Sequence, residues 1–190
     1  MLRKSLGILL LFAATPAMAD ISYNYVDLGL QRIELDVTGA DVDGDGFGIG
    51  GSFEIAEDWF VRASHGTADF DFGVDLDQTA IGVGYKSAMS PTSDVFATVN
   101  YVRAEVSASG FGSVDDDGFG MSVGVRAMLT DTFELNGSIG YVDFDEGGDD
   151  TTFSAGGLYN FNETFALGVN IDVGDDITGY GIVGRIYFGN

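Results

Sequence analysis

The stretch Asp41–Ile55, DVDGDGFGIGGSFEI, begins like a calcium-binding loop and ends like a β-strand. Three aspartates at alternate positions and a glycine match the first half of an EF-hand loop, which also needs a glutamate at its twelfth position and flanking helices. The twelfth position is Ser52, and beyond Gly46 apolar residues alternate with small or polar ones, the period of a strand with one apolar face. The pattern excludes an EF-hand and leaves weak Ca²⁺ or Mg²⁺ binding as the metal hypothesis for Asp41, Asp43 and Asp45.

The same alternation recurs along the chain, and no segment after the first twenty residues shows a helical period. Apolar residues at every second position, opposite Gly, Ser, Asn and a few charged residues, predict ten strands. An eight-stranded barrel is the structural alternative, in which two of these assignments would be wrong. The predicted strands carry Val26, Phe47, Trp59, Thr79, Val95, Phe119, Phe133, Phe153, Phe165 and Tyr180 on their apolar faces.

The first nineteen residues have the pattern of a secretory signal peptide. Arg3 and Lys4 precede a short apolar run, and Ala17-Met18-Ala19 is a typical cleavage site. We therefore expect a leader over residues 1–19 and one domain, a transmembrane β-barrel, over residues 20–190. The absence of cysteine excludes disulfides, thiolate metal sites and cysteine catalysis. Export without cysteine suits the bacterial envelope.

Charge and connection lengths suggest how the barrel is oriented. Loss of the leader leaves six basic and thirty acidic residues, a net charge of −24 that argues against nucleic acid as a partner. Short connections alternate with longer acidic ones, near residues 36–45, 69–77, 109–117, 143–150 and 174–176. Short periplasmic turns, long extracellular loops and an even strand number are typical of outer-membrane barrels, so we expect periplasmic termini and an acidic extracellular crown.

The strands of a soluble barrel also alternate apolar with polar residues, but their apolar face points inward. Here the other face is mostly Gly, Ser, Asn and Ala, which suits a narrow lumen better than a surface in water. Aromatic residues recur eight positions apart on the apolar face, as in Phe133 and Tyr141 or Phe153 and Phe161. That spacing covers roughly 20 Å of the membrane normal, close to the apolar band between two aromatic girdles. The apolar face is therefore expected to contact lipid.

The export signal, the mature start ISYNYVDLGL, the acidic segment after the first strand and the closing strand GYGIVGRIYF resemble small outer-membrane barrels of the OmpA and OmpX type. The chain is more similar still to the diffusible-signal-factor-regulated outer-membrane proteins. The resemblance implies insertion by the barrel-assembly machinery, which reads an alternating C-terminal strand that usually ends in an aromatic residue. Here Gly189 and Asn190 follow Phe188, a departure from that pattern.

Several charged residues occupy strand positions that alternate with the apolar face and so point into the lumen. Charges inside a barrel are costly unless they are paired, so we expect a network of ion pairs that braces the wall, and a thin conductive path is the alternative. Arg32 and Arg103 lie near the outer rim, where they are candidates for contact with lipopolysaccharide phosphates. The expected network comprises Asp27, Glu54, Arg62, Lys86, Arg126, Glu134 and Arg185.

The single histidine, His65, has the parity of the lipid face, and no serine and carboxylate partners can be identified for it. We therefore expect no enzyme, no cofactor and no catalytic residue. The leading hypothesis is a monomeric barrel that serves envelope structure or surface interaction through acidic loops, in contact with outer-membrane lipid and lipopolysaccharide. A narrow, porin-like channel that prefers cations or small solutes is the first alternative, and a lipid-A-modifying enzyme that uses His65 is the second.

Overall fold

The computed structural model of the protein describes residues 21–37, 40–110 and 112–189. Within these ranges the chain forms ten strands and one short 3-10 helix, Asp71–Gly73. The leader predicted for residues 1–19 lies outside the described residues. The strands are β1 (Tyr25–Val37), β2 (Ala40–Ala56), β3 (Trp59–Phe70), β4 (Val74–Ser90), β5 (Ser93–Ala108), β6 (Gly112–Met128), β7 (Phe133–Phe144), β8 (Gly148–Asn160), β9 (Phe165–Val173) and β10 (Ile177–Tyr187).

The strands pair antiparallel in chain order, and β10 pairs with β1 to close the sheet into a barrel. The closing ladder runs from Tyr25 opposite Tyr187 to Leu35 opposite Ile177. Closure removes both sheet edges and gives every strand two neighbours. The predicted barrel and its ten strands are confirmed, and the eight-stranded alternative is wrong.

The apolar residues of the alternating pattern lie on the outer surface. Phe153 is 59% exposed, Leu167 48% and Ile182 56%. Such a continuous apolar exterior is suited to lipid and not to water. Within the described residues, no helix has the length and apolar composition that would span a bilayer.

Each end of the barrel has its own set of hairpins. The terminal end carries the start of β1, the end of β10 and the turns 57–58, 91–92, 129–132 and 161–164, whereas the acidic end carries the connections 71–73, 109–110 and 145–147 and the turn 174–176. The long acidic loops expected from the sequence are mostly strand: Asp43 pairs with Glu34, Asp69 with Asp75, and β8 starts at Gly148. The acidic segments keep a period of two, so their ladders continue almost to the hairpin tips.

The polarity of the wall reverses toward the acidic end. On β1, Leu30 faces outward and is 66% exposed, whereas three positions later Ile33 faces inward and is 7% exposed. Beyond Leu30 the outward positions are the charged Arg32 and Glu34. The apolar parity changes in the same way on β2, β3, β4 and β5. The barrel therefore has a lipid-type wall over most of its length and, at its acidic end, a wall with the polarity of a soluble barrel.

Two clusters fill the interior near the two ends. The first, here called the apolar cap, belongs to the acidic end and consists of buried Ile33, Ala68 and Phe70 with Leu35, Val42, Val74, Leu76 and Ile177 packed against them. The second belongs to the terminal end and consists of Ile21, Tyr23, Phe60 and Met128, with Phe96 against it. Between them the interior is polar and rich in glycine.

Candidate functional site

Three ion pairs line the lumen near the terminal end, and each joins adjacent strands or strands separated by one strand. Arg126 donates to both carboxylate oxygens of Glu134, at 2.7 and 3.0 Å, and these side chains are 6% and 2% exposed. Arg185 donates to both oxygens of Asp27, each at 2.7 Å. The remaining pair joins Lys86 to Glu54 at 2.6 Å. The structure thus brings together six of the seven residues that the sequence placed in the lumen network.

Aromatic rings join these pairs into one layer. The Arg126 guanidinium lies 4.5 Å from the centre of the Tyr23 ring, and Lys86 Nζ lies 4.7 Å from the same ring. Arg185 lies over the Tyr25 ring at 3.7 Å. Cation–π contact and bidentate hydrogen bonding both strengthen when water is excluded. We call the three ion pairs with Tyr23 and Tyr25 the Tyr23 layer.

The segment 21–24, which precedes β1, folds into the lumen and completes this layer. The Tyr23 backbone N–H donates to Glu54 Oε1 at 3.2 Å, and Arg126 Nη1 donates to the Ser22 carbonyl at 2.9 Å. The Tyr23 ring is 4.7 Å from the Phe60 ring. Burial raises the pKa of Tyr23 above its ordinary value, so its hydroxyl remains neutral. The sequence-based prediction missed this segment, and the signal for it is the pair of aromatics in ISYNY, where the first strand begins.

Arg62, the seventh residue of the predicted network, has a different environment. It is exposed and lines a cavity of about 620 Å³ between the Tyr23 layer and the acidic end. Within the described part of the chain no carboxylate oxygen lies within 4 Å of its guanidinium. A second cavity of about 440 Å³, lined by Glu54, Lys86 and Asp94 among others, lies at the terminal end.

Two of the three candidate metal ligands, Asp43 and Asp45, lie on the outer wall of the acidic end. Asp43 Oδ2 accepts a hydrogen bond from Arg32 at 2.7 Å, and Asp45 lies 3.7 Å from the same guanidinium. The side chain of Asp41 lies outside the described residues. Where the chain is described, no three His, Cys, Asp or Glu residues are grouped so as to hold a metal ion. Weak cation binding by the whole acidic end stays a prediction.

The Arg32 arrangement recurs on β5 and β6. Arg103 donates to Asp115 at 2.7 Å and lies 3.9 Å from Asp117. In both places an outward arginine lies between two aspartates of the next strand, just beyond the apolar band. Each guanidinium already pairs with carboxylates of this chain. The contact of these arginines with lipopolysaccharide phosphates stays a prediction.

Carboxylates face one another across neighbouring strands of the outer wall. Asp69 lies directly between Asp45 on β2 and Asp75 on β4. Glu105 lies in the same way between Asp77 and Asp115. Like charges directly opposite each other destabilise a sheet. The acidic end therefore has a dense negative charge on a wall of paired strands.

His65 lies on the outer face of β3, as its parity predicts. Its Nδ1 is 2.9 Å from Thr79 Oγ1 on the next strand, and both residues are exposed. A catalytic histidine needs a nucleophile on one side and an orienting group on the other. In the portion of the chain that is described, no serine or carboxylate makes a hydrogen bond with His65.

A family model described as the outer membrane protein beta-barrel domain matches residues 5–170 of the chain. The chain belongs to this family. The family is one of the bacterial outer membrane, so the expected resemblance to small outer-membrane barrels is confirmed. The finer resemblance to diffusible-signal-factor-regulated proteins stays a prediction.

Solved structures are similar to this chain at low identity. An outer-membrane channel from Pseudomonas putida F1 is 8% identical, with a TM-score of 0.58 over 93% of this chain and 100% of that one. The translocator domain of the autotransporter NalP from Neisseria meningitidis is 10% identical, with a TM-score of 0.51 over 90% and 91%. The N-terminal β-barrel domain of Pseudomonas aeruginosa OprF is 12% identical, with a TM-score of 0.44 over 86% and 98%. No curated protein sequence matches the chain significantly.

Proposed function

We propose that this protein is a closed, non-catalytic outer-membrane barrel that serves envelope structure or surface interaction through its acidic end. The observation that carries the proposal is the obstruction of the lumen near the terminal end, together with its narrowing near the acidic end. Tyr23 and the ion pairs fill it near the terminal end, and the apolar cap narrows it near the acidic end. A barrel of ten strands is only slightly wider than the eight-stranded barrels that side chains fill completely.

The proposed orientation puts the acidic end outside the cell and the two termini in the periplasm. An even strand number puts both termini at one end, and outer-membrane barrels have their longer projections on the extracellular side. The acidic end projects beyond the apolar band at Leu30 and Phe47, with charged residues outside and apolar residues inside. In this orientation the barrel presents a rigid negative surface that attracts divalent cations and disfavours anionic partners.

Two measurements test this proposal together. The purified full-length mature barrel is expected to give no conductance steps in planar bilayers. Because the chain has no cysteine, single substitutions Asp71→Cys and Asp115→Cys report sidedness in intact cells, with Glu57→Cys in a terminal-end turn as the matched control. Labelling of the first two and not of the third is expected. Regular conductance steps or the reverse labelling pattern would refute the proposal.

The second candidate function is a narrow cation-preferring pore or small-solute channel. It is favoured by the two cavities, of about 620 and 440 Å³, that lie on opposite sides of the Tyr23 layer. The layer and the segment 21–24 lie between them. Stable conductance of the unaltered protein, with a reversal potential that indicates cation preference, would favour this function over the closed barrel.

A lipid-A-modifying activity has no comparable support, because His65 contacts Thr79 on an outer wall. Unchanged lipid A in a strain that carries His65→Ala, with the purified outer membrane as the sample, is the expected result. The proposed partners are outer-membrane lipid, lipopolysaccharide and, during biogenesis, the barrel-assembly machinery. We further propose that the mature barrel is monomeric and needs no cofactor.

A further inference from the structure

Among the described residues that line the cavity of about 620 Å³, Arg62 is the one arginine or lysine without an ion-pair partner. Arg62 extends from β3 into the interior, and it is exposed to the cavity. The other arginine nearby, Arg185, is held by Asp27 through two hydrogen bonds. In the described part of the chain, Arg62 is therefore the cation of this cavity that is available to an anionic group.

Two carboxylates lie on the opposite wall. Asp150 on β8 and Asp172 on β9 line the same cavity as Arg62. In the closed order of ten strands, β8 is five strands from β3 in either direction and β9 is four strands from it in one direction and six in the other, so both carboxylates lie on the wall opposite β3. Strand spacing and tilt give such a barrel a backbone diameter of about 20 Å.

The Asp172 carboxylate is oriented but not neutralised by its neighbours. Its Oδ1 accepts a hydrogen bond from Ser154 Oγ at 2.6 Å, and its Oδ2 accepts one from Asn170 Nδ2 at 2.7 Å. Both donors are neutral, so they fix the carboxylate without adding positive charge. Asp150 accepts hydrogen bonds from Thr152 Oγ1 at 3.1 Å and from the Asp175 backbone N–H at 3.3 Å.

The rest of the cavity is shaped for a small flexible molecule. Glycines leave room along β2, β3 and β10, while Gln31 and Gln78 add neutral polar groups. Toward the acidic end the lining becomes apolar, with Ile33 and Phe144. The volume lies within the range of 300 to 1,000 Å³ that is typical of ligand sites, which combine apolar walls with a few polar groups.

We propose that this cavity binds a small zwitterion, whose carboxylate pairs with Arg62 and whose ammonium group pairs with Asp172 and Asp150. Two opposite charges on facing walls match a molecule with one charge at each end, whereas a plain anion or a plain cation satisfies only one wall. The inference goes beyond the proposed structural role and does not depend on it, since a cavity that is closed toward the periplasm still binds solute from the acidic end.

The test uses isothermal titration calorimetry on the full mature barrel, refolded in detergent, with ω-amino carboxylates of increasing methylene number. Carboxylates and alkylammonium ions of the same lengths are the single-charge controls. We expect one chain length to bind best, at least tenfold tighter than either control of that length. Equal binding of the zwitterions and the single-charge controls, or no detectable binding by any of them, would overturn the proposal.

Variants assign the binding to the two walls. Arg62→Gln and Asp172→Asn should each lower the affinity of the best zwitterion at least tenfold, whereas Arg62→Lys should retain it within a few-fold. Asp43→Asn, on the outer wall, is the matched control and should leave it unchanged. Heat-modifiable migration on a gel verifies that each variant is folded. Undiminished affinity in folded Arg62→Gln would also overturn the proposal.

Discussion

Arg126 and Glu134 form a two-pronged ion pair inside a barrel whose outer wall is apolar. The pair joins β6 to β7 across the 129–132 turn, and both side chains are almost fully buried. A buried pair of this kind contributes little when compared with well-packed apolar residues, but loss of one partner leaves the other charge uncompensated. Its removal therefore has a sharp and testable consequence.

Glu134→Gln should lower the free energy of unfolding by about 3 to 5 kcal/mol, because the Arg126 guanidinium is left buried without a carboxylate. The measurement is denaturant unfolding in lipid vesicles, followed by the fluorescence of Trp59, the single tryptophan. Arg32→Gln, which breaks an exposed pair, should lower the free energy of unfolding far less than Glu134→Gln does. Equal losses in the two variants would show that the lumen pair is hydrated.

The reversal of polarity along the strands defines where the apolar band ends. Val99→Arg puts a charge on the outer face within the band, and we expect it to lower the free energy of unfolding by about 2 to 4 kcal/mol. Glu105 lies six positions further along the same face, between Asp77 and Asp115. Glu105→Arg should therefore leave the free energy of unfolding unchanged or raise it. Unfolding in vesicles of defined thickness measures both, and similar losses would place Glu105 within the lipid.

Opposed carboxylates at the acidic end give a salt-dependent effect. Asp69→Asn should raise the free energy of unfolding by roughly 0.2 to 1 kcal/mol at low ionic strength, because it removes the repulsion from Asp45 and Asp75. The gain should disappear near 1 M salt, where the screening length is about 3 Å. Asp131→Asn, in a turn at the terminal end, is the control. A gain that persists in high salt would point to a cause other than charge.

Removal of residues 20–24 from the mature chain takes Tyr23 out of the lumen and should join the two cavities. We expect small conductance steps in planar bilayers from this variant and none from the unaltered barrel. Gel migration with and without heating verifies that the shortened barrel is folded. A silent but folded variant would show that the apolar cap alone closes the lumen.

The strands and the direction of their faces could be predicted from the sequence because lipid on one side and a polar lumen on the other impose a strict period of two. The acidic segments were misread as loops, since Asp43 and Asp45 suggest a solvated turn when their spacing is ignored. The signal that corrects this reading is the change of apolar parity, from Leu30 to Ile33 on β1. The same change marks the edge of the apolar band.

The candidate site was predictable only in part. Parity placed Arg126, Glu134 and Arg185 in the lumen, but alternation carries no information on which charges meet, because partners lie on different strands. Arg62 has the same parity as the paired cations, yet it has no carboxylate within 4 Å in the described structure. Tyr23 precedes the first strand, so no periodic pattern indicates that its chain turns back into the barrel.

The seam between β1 and β10 joins the first strand of the chain to the last, and Asp27 is directly opposite Arg185 within it. These residues are 158 positions apart, so the seam can form only after β10 has reached the membrane. A slip of one residue would turn Arg185 toward hydrocarbon, and a slip of two would separate it from its carboxylate. The ion pair therefore favours the correct register of β1 against β10 when the barrel closes.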